Sequence, residues 1–239
     1  MMKAHFITNV TLLLVLFFVV FLTEKMSAQN ICIEEQDSII VYYPEFSSLA
    51  LIGSNRVPHG DDILYCSAAA FTAKCLKHFT HENIRCGHVC QGRYYKGSPE
   101  PICSGVFTFY NGQGHFDWAN ESALHIAADS GGMGFCQVLV VFDHHIVYSD
   151  TVAKTFWISK DYVFRALCEK DGRLCIIESK EAVSYSQFVH YLVDYGVTHA
   201  INLDMGGWSH AWYLNNWDER VETNNMPTKY ASNWLVFRK

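Results

Sequence analysis

The chain of 239 residues has little of what marks disorder or nucleic-acid binding. It contains 5 prolines, no tract rich in serine and glycine, and no block of like charges. Composition therefore predicts no disordered stretch and no linker. Its 18 lysines and arginines stand against 24 acidic residues, for a formal net charge of −6, and form no cluster. Because nucleic-acid binding needs a basic surface, we expect no DNA or RNA partner.

Several catalytic and cofactor signatures are also missing. The sequence has neither the Gly-x-Ser-x-Gly elbow of α/β-hydrolases nor the His-Glu-x-x-His zinc motif. The glycines of "DSGGMGFCQVLVV" precede a strand-like run and lack the strand-then-helix context of a dinucleotide fingerprint, so they indicate packing at the start of a strand. No signature predicts a particular cofactor, and a requirement for a divalent cation stays open.

The N-terminal segment has the pattern of an export signal. Lys3 precedes an apolar core from Ile7 to Leu22, and small residues near Ala28 follow. The core is shorter than the about 20 apolar residues that a spanning helix usually needs. We therefore predict a cleaved signal peptide over residues 1–29, a periplasmic or secreted location, and no membrane contact after cleavage. A retained N-terminal anchor is the alternative.

Residues 30–239 are sufficient for one domain with a well-buried core, and nothing in them marks a linker. Nine cysteines leave at least one without a disulfide partner within the chain. In an oxidising compartment one or two disulfides are expected as readily as none, because several cysteines lie inside apolar runs and suit a buried core.

The segment "HENIRCGHVC", residues 81–90, combines two histidines with two cysteines. Its spacing matches neither the paired CxxC nor the HxxxH arrangement of common structural zinc sites, so we expect no metal site there. His88 lies between two glycine-containing turns. It is either a wall or acid of a functional site or a hydrogen-bonded loop histidine.

Short apolar and aromatic runs bounded by turn residues predict a chain dominated by strands. Asn-Gly in "FYNGQGHF" and Asp-Gly in "CEKDGRLCII" predict hairpins, because these residues accept positive φ at little cost. Two helices are predicted, in "NESALHIAADS" after Asn120 and in "SYSQFVHYLVDYG" after Ser184 or Ser186, with Gly196 as the stop. The predicted fold is α+β, a single domain with a mixed or antiparallel sheet core and a few packed helices.

The stretch "AINLDMGGWS", residues 200–209, is the main candidate site. Side chains alternate along a strand, so Asn202 and Asp204 should face one side while Ile201 and Leu203 face the core. The glycines that follow suit close approach of an anion such as phosphate, since they leave backbone amides uncovered. A tight turn capped by its own Asn and Asp is the simpler interpretation.

The same stretch resembles the Asn-Leu-Asp-Gly-Gly-Gly-Ser signature of the phosphodiester glycosidase family. Upstream, "FRALCEKDGRLCII" is similar to the family's arginine strand and Asp-Gly hairpin, with Arg165 at the functional arginine. Downstream, "PTKYASNWLVF" resembles the final strand, with Asn233 at its asparagine. The resemblance runs from about residue 60 to the C-terminus and is strongest after Arg165.

Three departures indicate a divergent, bacterial-type branch of that family. Met205 stands where the first glycine of the triplet is expected, and His210 replaces a threonine. In "SAAAF", Ser67 replaces the asparagine of an early Asn-Gly-Gly-Phe-Phe motif. The departures leave both an altered specificity and a loss of activity open.

The resemblance implies an exported hydrolase that cleaves a sugar-1-phosphodiester. Asp204 would act at the sugar and Arg165 would clamp the phosphate, so these two are the expected catalytic residues. The expected substrate-binding residues are Asn202, Gly206, Gly207, Ser209, His88 and Asn233. The alternative is a non-catalytic carbohydrate-binding or envelope-associated module on the same fold, motivated by Met205 and Ser67.

Overall fold

The computed structural model describes residues 30–73, 78–147, 160–204, 210–223 and 231–239. These residues form an α+β fold of three antiparallel sheets with two α-helices, which confirms the predicted class. Within these ranges no helix combines the length and apolarity that crossing a membrane requires. The predicted signal peptide lies outside the described residues.

The elements are numbered in chain order. The strands are β1 (Ile31–Glu35), β2 (Ile39–Pro44), β3 (Ser48–Gly53), β4 (Ile63–Ala68), β5 (His88–Cys90), β6 (Arg93–Tyr95), β7 (Gly105–Tyr110), β8 (Gln113–Trp118), β9 (Met133–Gln137), β10 (Leu139–Phe142), β11 (His145–Ile146), β12 (Arg165–Lys170), β13 (Arg173–Ser179), β14 (His199–Asn202), β15 (Ala211–Leu214), β16 (Arg220–Glu222) and β17 (Asn233–Arg238). The helices are α1 (Glu121–Asp129), α2 (Tyr185–Asp194) and a short 3-10 helix (His81–Asn83).

The first sheet has seven strands in the order β1-β2-β13-β12-β14-β10-β11. The second has the order β16-β15-β4-β17-β3, and the third β6-β5-β9-β7-β8. Every pairing between these strands is antiparallel.

Two hairpins form where turn residues predict them. Asn111 and Gly112, with φ of 52° and 76°, join β7 to β8. Asp171 and Gly172, with φ of 51° and 71°, join β12 to β13. Two consecutive residues of positive φ are the signature of a type I′ turn, whose twist matches that of the strands it connects.

Apolar side chains form two main cores on opposite faces of the seven-stranded sheet. One core joins all three sheets and includes Leu167 and Ile201 of the first sheet. The other lies between the first sheet and α2 and includes Ala166, Cys168 and Ala200. Successive residues of β12 and β14 therefore alternate between the two cores, as pleated strands require.

Cysteines contribute mainly to these cores. Of the nine, eight lie in the described part of the chain, and these eight are free thiols. Cys168 lies opposite Cys175 across the β12–β13 hairpin, and both are fully buried. Cys75 lies outside the described residues.

Helix α2 begins with a capping box that decides between the two predicted caps in favour of Ser184. The Ser184 hydroxyl accepts a hydrogen bond from the backbone N–H of Gln187 at 3.3 Å, and the Gln187 side chain accepts one from the Ser184 N–H at 3.1 Å. The helix buries a stripe against the first sheet, formed by Tyr185, Phe188, Val189 and Leu192.

Replacing Ser184 by alanine should lower the free energy of unfolding by about 1 kcal/mol, the usual cost of losing an N-cap. Ser186→Ala is the matched control, because Ser186 is exposed in the first turn of the same helix. Urea unfolding followed by circular dichroism measures both. An equal loss in the two variants would show that the capping box contributes nothing specific.

Candidate functional site

Backbone hydrogen bonds fix both ends of the segment that follows β14. The Asp204 N–H donates to the carbonyl of Ala69 at 2.7 Å, and the Ala68 N–H donates to the carbonyl of His210 at 3.0 Å. Ala211, the next residue, pairs with Ser67 in the second sheet. Both ends of the segment between Asp204 and His210 are therefore bound to consecutive residues, Ala68 and Ala69, at the end of β4.

Asp204 lies two residues after the end of β14 and is 6% exposed. The preceding residue is also tied down, since the Leu203 N–H donates to the carbonyl of Arg165 at 3.0 Å. The Thr72 hydroxyl donates to Asp204 Oδ2 at 3.4 Å and lies 3.0 Å from the Ser232 hydroxyl. Thr72, which follows β4, and Ser232, which precedes β17, thus form a hydroxyl pair beside the Asp204 carboxylate.

Asn233 holds the segment that carries Thr72. Its side-chain amide donates to the carbonyl of Ala70 at 2.8 Å and accepts from the Ala70 N–H at 2.7 Å, so it imitates one pair of strand hydrogen bonds. It also donates to the Ser232 hydroxyl at 3.2 Å. Predicted as a substrate-binding residue, Asn233 positions the chain around Asp204 in this structure.

Arg165 is fully buried and forms an ion pair with Glu178, its partner across the β12–β13 hairpin. Its Nη2 also donates to the Thr223 hydroxyl at 3.2 Å. Burial raises the pKa of the Glu178 carboxyl, while the charge of Arg165 opposes that shift. Burial would by itself lower the pKa of Arg165, but Glu178 more than offsets it, so the pKa is raised and the guanidinium stays charged.

Arg165 and Asn202 project to opposite faces of the first sheet. Arg165 and Leu167 are two residues apart in β12, so their side chains share the face that points to the core common to the three sheets. Asn202 pairs with Ala166 and is two residues from Ala200. Its side chain therefore shares their face of the sheet, which α2 covers. The sequence predicted that β14 would present Asn202 on an open face. Both faces of β14 are covered instead, and Asn202 is 1% exposed.

The Asn202 side chain is only partly hydrogen-bonded. Its Nδ2 donates to the carbonyl of Leu203 at 2.8 Å, whereas Oδ1 has no hydrogen-bond partner among the described residues. Ser67 is also fully buried, and its hydroxyl has no partner within the same part of the chain. A buried polar atom without a hydrogen-bond partner lowers the stability of the folded state, so Asn202 Oδ1 and the Ser67 hydroxyl are both placed at a cost in free energy.

Three residues of the predicted site, Gly206, Gly207 and Ser209, lie outside the described residues, as does the divergent Met205. The structure places Arg165, Asn202 and Asp204 at one end of the neighbouring strands β12 and β14, and it fixes both ends of the segment between Asp204 and His210.

His88 lies in the third sheet, in a separate buried cluster. Its Nδ1 is 3.1 Å from the carbonyl of Cys86, and its Nε2 is 3.0 Å from His81 Nδ1. Burial lowers the pKa of His88 to about 4, so its ring is neutral at neutral pH. His81, His88 and Cys90 place one potential ligand atom each within 4.8 Å of one another.

A cleft of about 520 Å³ lies at the far end of the β12–β13 hairpin. It is lined by Glu45, Phe46, His115 and Arg173 among others. Arg165 is at the opposite end of β12, roughly 17 Å away for five residues of strand. The sequence carries no signal for this cleft, because its walls come from three turns that are distant in the chain.

The sequence matches no protein-family model and no curated protein. Solved structures do match. The catalytic domain of zebrafish N-acetylglucosamine-1-phosphodiester alpha-N-acetylglucosaminidase, auto-inhibited by its pro-peptide, is similar with a TM-score of 0.60 and 14% identity, over 87% of this chain and 81% of that one. The likeness establishes a shared fold.

A hypothetical protein from Synechocystis is also similar, with a TM-score of 0.51 and 11% identity. The match covers 87% of this chain and 61% of the Synechocystis chain. At these identities the comparisons show the fold, which this chain shares with a phosphodiester glycosidase catalytic domain.

Replacing Glu178 by glutamine should lower the free energy of unfolding by about 3–5 kcal/mol, because Arg165 would keep a buried charge without its counter-ion. Glu169→Gln is the matched control, since Glu169 lies in the same hairpin and pairs with His199 at a partly exposed position. The double variant Arg165→Met with Glu178→Leu should recover most of the loss. Chemical denaturation measures all three, and a Glu178→Gln variant as stable as the control would refute the prediction.

Proposed function

We propose that this chain is an exported hydrolase that cleaves a sugar-1-phosphodiester at the turn after Asp204. The observation that carries the proposal is the position of Arg165, Asn202 and Asp204 at the same end of β12 and β14, with Arg165 and Asn202 on opposite faces of the sheet. The shared fold with a phosphodiester glycosidase catalytic domain supports it. Carbohydrate linked through phosphate is accordingly the proposed substrate class.

The chemistry needs only one essential carboxylate. Most glycosidases use a pair, one of which protonates the leaving oxygen. A departing sugar phosphate is already acidic, so protonation contributes less. Asp204 would act at the sugar as base or nucleophile, with Thr72 orienting its Oδ2.

Arg165 would bind the phosphate. A guanidinium offers two parallel N–H donors to phosphate oxygens. Glu178 and Thr223 both contact Nη2, so the phosphate would share the guanidinium with these two partners. Backbone amides at Gly206 and Gly207 would bind the remaining phosphate oxygens, while Asn202 and Ser209 would contact sugar hydroxyls.

A non-catalytic carbohydrate-binding module is the second candidate, and the burial of Arg165 favours it. An arginine that is 0% exposed and already neutralised by Glu178 receives a substrate only if the surrounding chain moves. Elsewhere, Trp217 is 82% exposed and offers an aromatic face of the kind on which sugar rings stack.

Asp204→Asn should reduce turnover of a sugar-1-phosphodiester by about 10²–10⁴-fold, the range typical for loss of a proton-transferring group. Asp171→Asn is the control, because Asp171 is an exposed acid at the far end of the hairpin and asparagine accepts its positive φ. A panel of sugar-1-phosphodiesters, assayed for free sugar, measures both variants against the parent.

The outcomes separate the two candidates. Turnover by the parent and by Asp171→Asn, with none by Asp204→Asn, supports the hydrolase. Equal turnover by all three removes Asp204 from the mechanism. If none of the three proteins turns over any substrate of the panel, and the parent binds a glycan that the Trp217→Ala variant does not bind, the binding module is supported.

Export makes a separate prediction about the N-terminus. Protein recovered from a bacterial host that recognises the signal should begin close to residue 29 and appear in the periplasm or medium. Intact-mass measurement and cell fractionation test this directly. An uncleaved chain that sediments with membranes would show that the segment is retained as an anchor.

A further inference from the structure

Strand alternation places two potential metal ligands on one face of β5. His88 and Cys90 are two residues apart in this strand, so their side chains share a face, and both are buried. Val89 between them projects the other way and packs with Leu124 of α1. The pairing of β5 with β6 and β9 fixes the strand on both sides.

The third ligand comes from the short 3-10 helix. His81 stacks on the ring of Tyr95, which sits opposite His88 in β6, with centroids 3.4 Å apart and planes 9° apart. This contact directs His81 Nδ1 towards His88 Nε2, at 3.0 Å. His81 is half-buried, so the cluster has one side nearer to solvent.

Neighbouring backbone groups orient these side chains for metal binding. With a proton on Nδ1, His88 donates to the carbonyl of Cys86 at 3.1 Å, and its Nε2 lone pair then points into the cluster. Such an outer hydrogen bond is typical of metal-ligating histidines, since it fixes both the tautomer and the ring. Cys90 in turn has a backbone hydrogen bond with Gly53.

We propose that His81 Nδ1, His88 Nε2 and Cys90 Sγ bind one Zn²⁺ ion, with the fourth position open to water or an external ligand. Two imidazoles and one thiolate suit zinc, and three protein ligands leave the coordination open. In a tetrahedral site the ligand atoms lie roughly 3.4 Å apart. The three atoms lie within 4.8 Å of one another, so small side-chain movements bring them into range.

Cys86, the remaining cysteine of the segment, does not belong to the site. Its thiol donates to the carbonyl of Glu100 at 3.4 Å, and its φ of 60° turns the chain away just before β5. The ligands converge through strand alternation and a turn of 3-10 helix, which explains why their spacing resembles no common zinc motif. The site is independent of the proposed hydrolase activity.

Co²⁺ titration of the reduced, metal-free full chain tests the proposal, because a cobalt–thiolate bond produces a near-ultraviolet charge-transfer band. We expect one equivalent to bind with this band, and Zn²⁺ to displace it. Cys90→Ser should abolish the band. Loss of an outer-shell partner typically weakens metal binding by about 10–100-fold, so His81→Gln, which removes a direct ligand, should weaken Co²⁺ binding at least as much.

Cys136→Ser and His125→Ala are the matched controls, since both residues belong to the third sheet and its helix but lie outside the cluster. Both should retain the band and the affinity. Circular dichroism verifies the fold of every variant, and the half-buried His81 provides a test that does not disturb the core. No charge-transfer band in the parent, or an equal loss of binding in the control variants, would overturn the proposal.

Discussion

The organisation of the candidate site depends on one short stretch of backbone, residues 68 to 70. Its amides and carbonyls bind Asp204, His210 and the side chain of Asn233. These contacts bring the end of the first sheet, the start of β15 and the start of β17 to one place.

The buried pair of Arg165 and Glu178 sets the electrostatic character of this region. Arg165 stays charged inside the core shared by the three sheets, with Tyr42 and Tyr65 among the groups that its charge reaches. Burial of such a pair usually contributes little net stability, since desolvation offsets the attraction. An apolar pair would not supply the positive charge that Arg165 places at this end of β12.

Local signals in the sequence predicted local structure. Asn-Gly and Asp-Gly marked two hairpins correctly, and Ser184, one of the two candidate caps, marked the start of α2. Those features depend on neighbouring residues alone. The hairpin between β10 and β11 was not predicted, because Asp143 and His144 adopt positive φ without a glycine.

The arrangement of the candidate site was harder to predict, because it depends on register and on which face of a sheet is covered. The alternation of side chains along β14 correctly places Asn202 and Ile201 on opposite faces of the sheet. Only the tertiary structure shows that α2 covers the face of Asn202 as well. The same limit applies to His81, whose approach to His88 and Cys90 depends on the packing of the 3-10 helix against β6.

The position of β17 has a consequence for biosynthesis. This strand is central in the second sheet, hydrogen-bonded to β4 on one side and to β3 on the other. Strands β3 and β4 therefore lack their shared neighbour until the ribosome has made residues 233–238. The second sheet is the last of the three that synthesis can complete, and its closure joins strands that are distant in the chain, which is the slow kind of strand pairing.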